Sequence, residues 1–178
     1  MWLQILPNAI SEEDINKILS LADKNDRTIA TTEDNLSEIR KSEIIFFNPD
    51  TELWVFNIIG TIAEWANAFY HFNIEKIGNA QYTEYDESYE GYYDWHIDSF
   101  PLKSQELQRK LSITIQLSDS KDYEGGDFIL DVEPGSDYDI RKKGTAIIFP
   151  SYLRHTIKPV TKGKRKSLVS WVEGAEFI

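Results

Sequence analysis

Apolar residues recur at helical spacing in two early stretches of the chain. Ile15, Ile18, Leu19 and Ala22 fall on one side of a helix predicted over about 11–24. Ser11 precedes it as an N-cap, Asp14 lies three residues on as in a capping box, and Ile10 and Ile15 can staple the first turn. The stretch 25–42 is polar and reads as a loop. Glu43–Phe47 reads as a short strand. Asn48-Pro49-Asp50 then breaks that strand and caps a second helix over about 51–70. Val55, Ile59, Ile62, Ala66 and Phe69 share one face of it. This helix is apolar on more than one side, which predicts deep burial.

From about residue 76 the period changes to two. Leu111, Ile113, Ile115 and Leu117 alternate with Ser112, Thr114 and Gln116, the pattern of a strand with two unlike faces. A polar inner face suits a pocket better than a dry core, which leaves the isoleucine face to meet the helices. Further strands are expected at Ala146–Phe149 and Leu168–Val172. Gly125-Gly126, Pro134-Gly135, Lys143-Gly144 and Lys162-Gly163 are turn signals between such runs. Two helices followed by many short strands predict a mainly β, α+β fold, with helices packed on an antiparallel sandwich or jelly roll. No repeat or linker divides the 178 residues, so one domain is expected: helical support over about 1–75 and a β core over about 76–175.

Composition narrows the chemistry. The chain has no cysteine, which excludes disulfides, thiolate catalysis, zinc fingers and iron–sulfur clusters. That fits a reducing compartment, and a cytoplasmic location is expected. The start of the chain lacks a basic segment and a long apolar run, so no signal peptide is expected. No stretch approaches the ~20 apolar residues of a membrane span. The net charge of −11 argues against nucleic acid, because an acidic surface repels phosphate. Most of these charges are expected to be solvated.

The histidines carry the chemical signal. There are three, His71, His96 and His155. His96 lies in Trp95-His96-Ile97-Asp98, and on a strand residues two apart point the same way. His155 follows at the start of a later strand that a jelly roll can bring alongside. Two imidazoles and one carboxylate form a facial set suited to iron(II), with open positions left on the metal. By itself His-x-Asp is a weak motif. Arg165 lies ten positions beyond His155, and a hairpin through Lys162-Gly163 would turn it into the same barrel. A guanidinium there suits a buried carboxylate. His71 ends the second helix, where its partial negative charge favours a histidine, and reads as structural.

Several ordered motifs together carry a family resemblance. They are Gln81-Tyr82, Tyr93-Asp94-Trp95-His96-Ile97-Asp98, the run Arg109–Ser118, Tyr123-Glu124-Gly125-Gly126-Asp127, Phe149-Pro150-Ser151, and His155, Arg165 and Trp171. This set resembles the 2-oxoglutarate/iron(II) dioxygenases over about residues 80–172, in particular the prolyl 4-hydroxylase-like group with its bacterial PKHD-type hydroxylases. The resemblance implies a double-stranded β-helix. It implies iron(II) on His96, Asp98 and His155, and 2-oxoglutarate with its far carboxylate on Arg165. Tyr82, Gln116, Thr114, Tyr93 and Trp171 would line the co-substrate pocket, though core packing accounts equally well for Tyr93, Thr114 and Trp171. It implies dioxygen as second co-substrate, release of succinate and CO2, and ascorbate as a candidate reductant. Asp98 argues for hydroxylation, since related halogenases lack this carboxylate to make room for halide.

The implied substrate is a prolyl or other peptidyl residue, with a free amino acid or small metabolite as the alternative. Nucleic-acid dealkylases of the superfamily carry a second arginine six residues after the first; here Trp171 stands there. The flanks Glu84–Gly91 and Ser99–Gln108 are expected to form a substrate rim. The acids of the first would suit a cationic peptide, or would simply be solvated. Outside the family, a zinc hydrolase or an inactive binding module could use the same triad. A cupin is disfavoured because its His-x-His start is absent. Monomer and homodimer stay open, and no membrane or nucleic-acid partner is expected.

Overall fold

The structure is a computed structural model that describes residues 2–30, 39–99, 107–132 and 139–176. The elements in chain order are β1 (Gln4–Leu6), α1 (Glu12–Lys24), β2 (Thr28–Ile29), β3 (Arg40–Lys41), β4 (Glu43–Phe46) and α2 (Leu53–Tyr70). After them come β5 (Lys76–Asp86), a 3-10 turn, β6 (Tyr92–His96), β7 (Gln108–Gln116), β8 (Tyr123–Gly125) and β9 (Phe128–Leu130). The chain closes with β10 (Ala146–Pro150), β11 (His155–Ile157) and β12 (Val160–Gly174).

The first helix starts where its cap says it should. The Ser11 side chain accepts from the Asp14 backbone N–H at 3.0 Å, and three acids occupy the positive first turn. The second begins two residues later than expected. Asn48 Oδ1 accepts from the Asp50 N–H, and the turn this makes delays the helix. It ends at His71 in the left-handed region, φ 56°, so His71 is a helix cap. Phe69 corrects the predicted buried face, for it is 48% exposed. The stretch read as a loop over 25–42 contains β2 and β3, two-residue strands too short for a periodic signal. Its residues 31–38, the Pro134-Gly135 turn signal and residues 100–106 of the expected rim lie outside the described residues.

Among the described residues the strands form two antiparallel sheets. The larger runs β1-β10-β7-β12-β5-β4-β2, with β8 attached to the start of β12; the smaller runs β3-β6-β11-β9. Alternation decides which side chains face where. Leu111, Ile113 and Ile115 of β7, Leu168 and Val172 of β12, and Ala146 and Ile148 of β10 join α1 and α2 in one apolar core. The opposite faces of β5, β7, β10 and β12 look toward the smaller sheet across a cavity. This is the expected jelly roll with helical support.

The turn residues do different work from that expected of them. Lys162-Gly163 is no hairpin: β12 runs unbroken from Val160 to Gly174. Nor does the chain reverse at Lys158-Pro159: it runs on from β11 into β12 beside the β8–β9 segment, Ile157 paired with Phe128 and Val160 with Gly125. Gly163 instead kinks the strand at φ 70°, and a Cβ there would strike the Asp122 carbonyl oxygen. Residues before the kink pair with β8, and those after it pair with β5 and β7. One strand thereby passes from the rim of the barrel into the large sheet.

The acidic stretch also needs correction. Glu84 lies inside β5 and is 1% exposed, so it is not a rim residue. Arg27 (2.8 Å), Lys164 (2.9 Å) and the Tyr82 hydroxyl (2.8 Å) converge on its carboxylate. Burial alone would raise the Glu84 carboxyl; Lys164, Tyr82 and Arg27 outweigh it and hold it below the usual range. Lys164 also meets Asp86 at 2.6 Å. Two of the four acids expected to face a cationic substrate are thus neutralised by bases of the fold itself.

Two outcomes are expected. Ile59→Ala, at a fully buried core position, should cost about 2–5 kcal/mol in urea denaturation. Glu84→Gln should cost on the order of 1–3 kcal/mol at pH 7. Because the folded carboxyl is depressed, its contribution is present above the unfolded Glu range and is lost as pH falls through the folded value. The gap between Glu84→Gln and wild type should therefore close in acid, and a gap that widens there would contradict the ion cluster.

Candidate metal and co-substrate site

The cavity between the sheets is built on one cross-strand pair. Antiparallel pairing of β6 and β11 sets His155 directly opposite His96, with ring centroids 4.1 Å apart. Asp98 is not on the strand, as the motif alone suggests, but two residues past its end. There the Asp98 backbone N–H donates to the Ser151 carbonyl at 2.9 Å, which turns the carboxylate back toward the rings. Its two oxygens lie 3.6 Å from His96 Nε2 and 3.5 Å from His155 Nε2. One ligand atom from each of the three residues lies within 4.8 Å of the others.

The protons are arranged for ligation. His96 Nδ1 sits 2.7 Å from the Asp94 carbonyl oxygen, and His155 Nδ1 sits 3.0 Å from that of Leu153. A carbonyl can only accept, so Nδ1 carries the proton and Nε2 presents its lone pair to the centre. Burial, and then the neighbouring His155, push His96 well below the ordinary histidine range, so it is neutral at pH 7. Burial would raise the Asp98 carboxyl, but the two imidazoles and the Ser112 hydroxyl hold it low. Ser112 donates to Asp98 Oδ2 at 2.6 Å and lies 3.0 Å from the Ser151 hydroxyl. A neutral His96 beside an ionised Asp98 is the state that binds a divalent cation.

Arg165 reaches the same cavity from β12, with its neighbours Ser167 and Trp171 on that face. It is 1% exposed and makes no ion pair among the described residues. Its Nε and Nη2 are buried without a hydrogen-bond partner, as are Ser167 Oγ and Trp171 Nε1. A buried guanidinium with unmatched donors is costly unless an anion completes it. The donor set therefore fits a bound carboxylate. Gly126, at φ 64°, passes so close that a Cβ would lie 3.1 Å from Arg165 Cδ.

The remaining sequence candidates divide by face. Tyr93 lines the cavity and stacks on His96, with centroids 3.4 Å apart. Burial pushes its phenol up to about 12, so it stays protonated at pH 7 and can donate a hydrogen bond. Thr114 also lines the cavity. Tyr82 does not: alternation along β5 turns it into the helix-side core, and its hydroxyl goes to Glu84. Its neighbours Gln81, Thr83 and Tyr85 face the cavity instead. Gln116 is on the expected face but one step too far along, outside the cavity wall. Sequence reading missed Ser112 as the partner of Asp98, although it lies on the polar face that had been singled out. It also missed Arg40 in the cavity wall, whose strand is too short to leave a pattern.

The profile of the 2OG-Fe(II) oxygenase superfamily matches residues 80–173, more than half of the chain. A PKHD-type hydroxylase of Synechococcus sp. strain CC9902 is 38% identical over 81 residues, covering 46% of this chain and 36% of that protein. The chain thus matches little more than a third of that relative's length. Among solved structures, a Pseudomonas putida prolyl-4-hydroxylase superposes with a TM-score of 0.76 at 16% identity, over 98% of this chain and 93% of the other. The viral collagen prolyl hydroxylase of Paramecium bursaria Chlorella virus-1, in its 2OG complex, gives 0.73 at 19% identity, over 98% and 97%. These structures share the fold, while the profile match spans every residue of the His–Asp–His cluster and Arg165. On these grounds the chain belongs to the 2OG-Fe(II) oxygenase superfamily.

Proposed function

We propose that this chain is an Fe(II)- and 2-oxoglutarate-dependent dioxygenase that hydroxylates an unactivated C–H bond, in a prolyl or other peptidyl residue. One observation carries the reading. A fully buried arginine with unmatched donors shares a cavity with a His–Asp–His cluster whose Nε2 atoms face the Asp98 carboxylate. A zinc hydrolase has no use for that arginine. The peptidyl substrate is supported by the names of the relatives, a PKHD-type hydroxylase and two prolyl hydroxylases.

In this reading His96, Asp98 and His155 hold the iron. When bound, iron lets dioxygen convert 2-oxoglutarate to succinate and CO2 while one oxygen atom enters the substrate C–H bond. The chain supplies position and exclusion of water. The Asp94 and Leu153 carbonyls fix both imidazole tautomers. Ser112 fixes the carboxylate. Arg165 pairs with the far carboxylate of 2-oxoglutarate, with Ser167 as a further donor and Trp171 as a wall along the same face. Phe149 and Tyr93 wall the imidazoles from solvent.

An anaerobic titration of the metal-free protein with iron(II) and then 2-oxoglutarate tests this, read by the weak visible charge-transfer band of the chelate. Wild type should give the band and His96→Ala should not. Arg165→Ala should need at least about tenfold more 2-oxoglutarate, the scale of a lost charge-assisted hydrogen bond. A folded wild-type protein without the band would sink the oxygenase reading. Ser112→Ala should keep the fold but weaken iron(II) binding by about 10–100-fold, as loss of an outer partner of a metal ligand does. Unchanged affinity would mean that Asp98 is positioned by its backbone alone.

A further inference from the structure

Two guanidinium groups line the cavity, and 2-oxoglutarate accounts for one of them. Arg40 is the other. It stands on β3, whose residues pair with β6 so that Arg40 lies across from Tyr93. Its Cζ sits 4.7 Å from the Tyr93 ring centroid, and that ring stacks in turn on His96. Guanidinium, phenol and imidazole thus form one column that ends at the metal ligands. Nε donates to the Ser42 hydroxyl at 2.8 Å, which fixes the plane of the group. Its two terminal nitrogens bond to no described residue, and Arg40 has no ion pair among the described residues. A guanidinium stacked by its face keeps its N–H edge free, and that edge matches a carboxylate.

Among the described residues no acid satisfies it. Asp98 is the only carboxylate in the cavity wall among the described residues, and Ser112 and the two imidazoles engage it. Arg109 lies 4.1 Å from the ring of Trp171, which lines the cavity, and it too has no ion pair among the described residues. Elsewhere Lys17, Arg27, Lys76, Lys143, Lys162 and Lys164 all meet acids.

We infer that the oxidised substrate carries a carboxylate, and that Arg40 holds it while Arg165 holds 2-oxoglutarate. The inference rests on the oxygenase reading above and adds the class of substrate. The carboxylate can belong to a free amino acid or to an acidic side chain flanking the oxidised residue of a peptide; the chemistry seen by Arg40 is the same.

The test presents the iron- and 2-oxoglutarate-loaded protein with two matched sets. One is the L-amino acids as free acids and as carboxamides. The other is capped proline tripeptide amides with Glu or Gln on either side. Succinate release above the substrate-free rate is read. Stimulation by free acids and not carboxamides identifies a small carboxylate; stimulation by Glu and not Gln peptides identifies an acidic peptide. In either case Arg40→Gln should raise the substrate KM at least about tenfold and leave the KM for 2-oxoglutarate within about twofold. Arg40→Lys, which keeps the charge but loses the fork, should fall between. The chelate band must persist in both variants, which separates lost recognition from lost folding. Equal stimulation by acids and amides, no stimulation by any acid while the band is present, or an unchanged substrate KM in Arg40→Gln would each overturn the inference. Absence of the band in wild type would instead fail the oxygenase reading itself.

Discussion

The register that sets His155 across from His96 is the constraint on which the site depends. In an antiparallel pair a slip of one residue turns every side chain to the other face. Such a slip between β6 and β11 would send one imidazole outward and leave no pair for Asp98 to meet. The register is fixed from several sides. β11 is paired on its other edge with β9, and the Thr156 hydroxyl donates to the Tyr93 carbonyl. Asp98 and Ser99 both donate backbone N–H groups to Ser151, four residues before His155. The ligand-bearing segments are therefore locked to each other before any metal is considered. This is the condition for a site whose geometry does not relax when a cation is absent.

The second fixed point is Arg165, and it depends on the long strand that passes between sheets. The kink at Gly163 and the close passage of Gly126 let β12 leave the rim and enter the large sheet with Arg165 facing inward. On the opposite face of the same strand, Lys164 is tied to Glu84 and Asp86 of β5. A buried charge pair needs good geometry to be worth its desolvation. Here it anchors the residue adjacent to Arg165 against the neighbouring strand. Helix-side ion cluster and cavity-side guanidinium are thus two faces of one strand segment.

Much of this was legible in the sequence because it follows from periodicity. The period-two run of β7 gave both the face that packs on the helices and the polar face toward the cavity, and the Ser11 cap gave the start of α1. What failed did so for physical reasons. Tyr82 was placed in the cavity by resemblance, whereas alternation from Gln81, Thr83 and Tyr85 assigns it to the other face. Gly163 looked like a turn because glycine marks positive φ, and positive φ serves a strand kink as well as a hairpin. Glu84 and Asp86 looked like a solvated rim because their bases, Arg27 and Lys164, are remote in sequence. Arg40 could not be found at all, since two residues of strand carry no period and its partner ring lies 53 positions away.

The same distinction governs what net charge can say about the site. Exposed charges act over a Debye length of about 8 Å at physiological salt. Several acids of this chain, Glu12, Glu13, Asp23, Glu84, Asp86, Asp119, Glu124, Asp127 and Glu173 among them, are matched by a neighbouring base. Within the cavity the dielectric is lower and each unpaired group counts for more. There the balance is two guanidinium groups against one carboxylate that faces the metal position. A chain with 30 acids and 19 bases therefore presents a cationic site inside an acidic body. A negative surface disfavours polyanions at long range, while a guanidinium with unmatched donors inside the cavity favours a small carboxylate at short range.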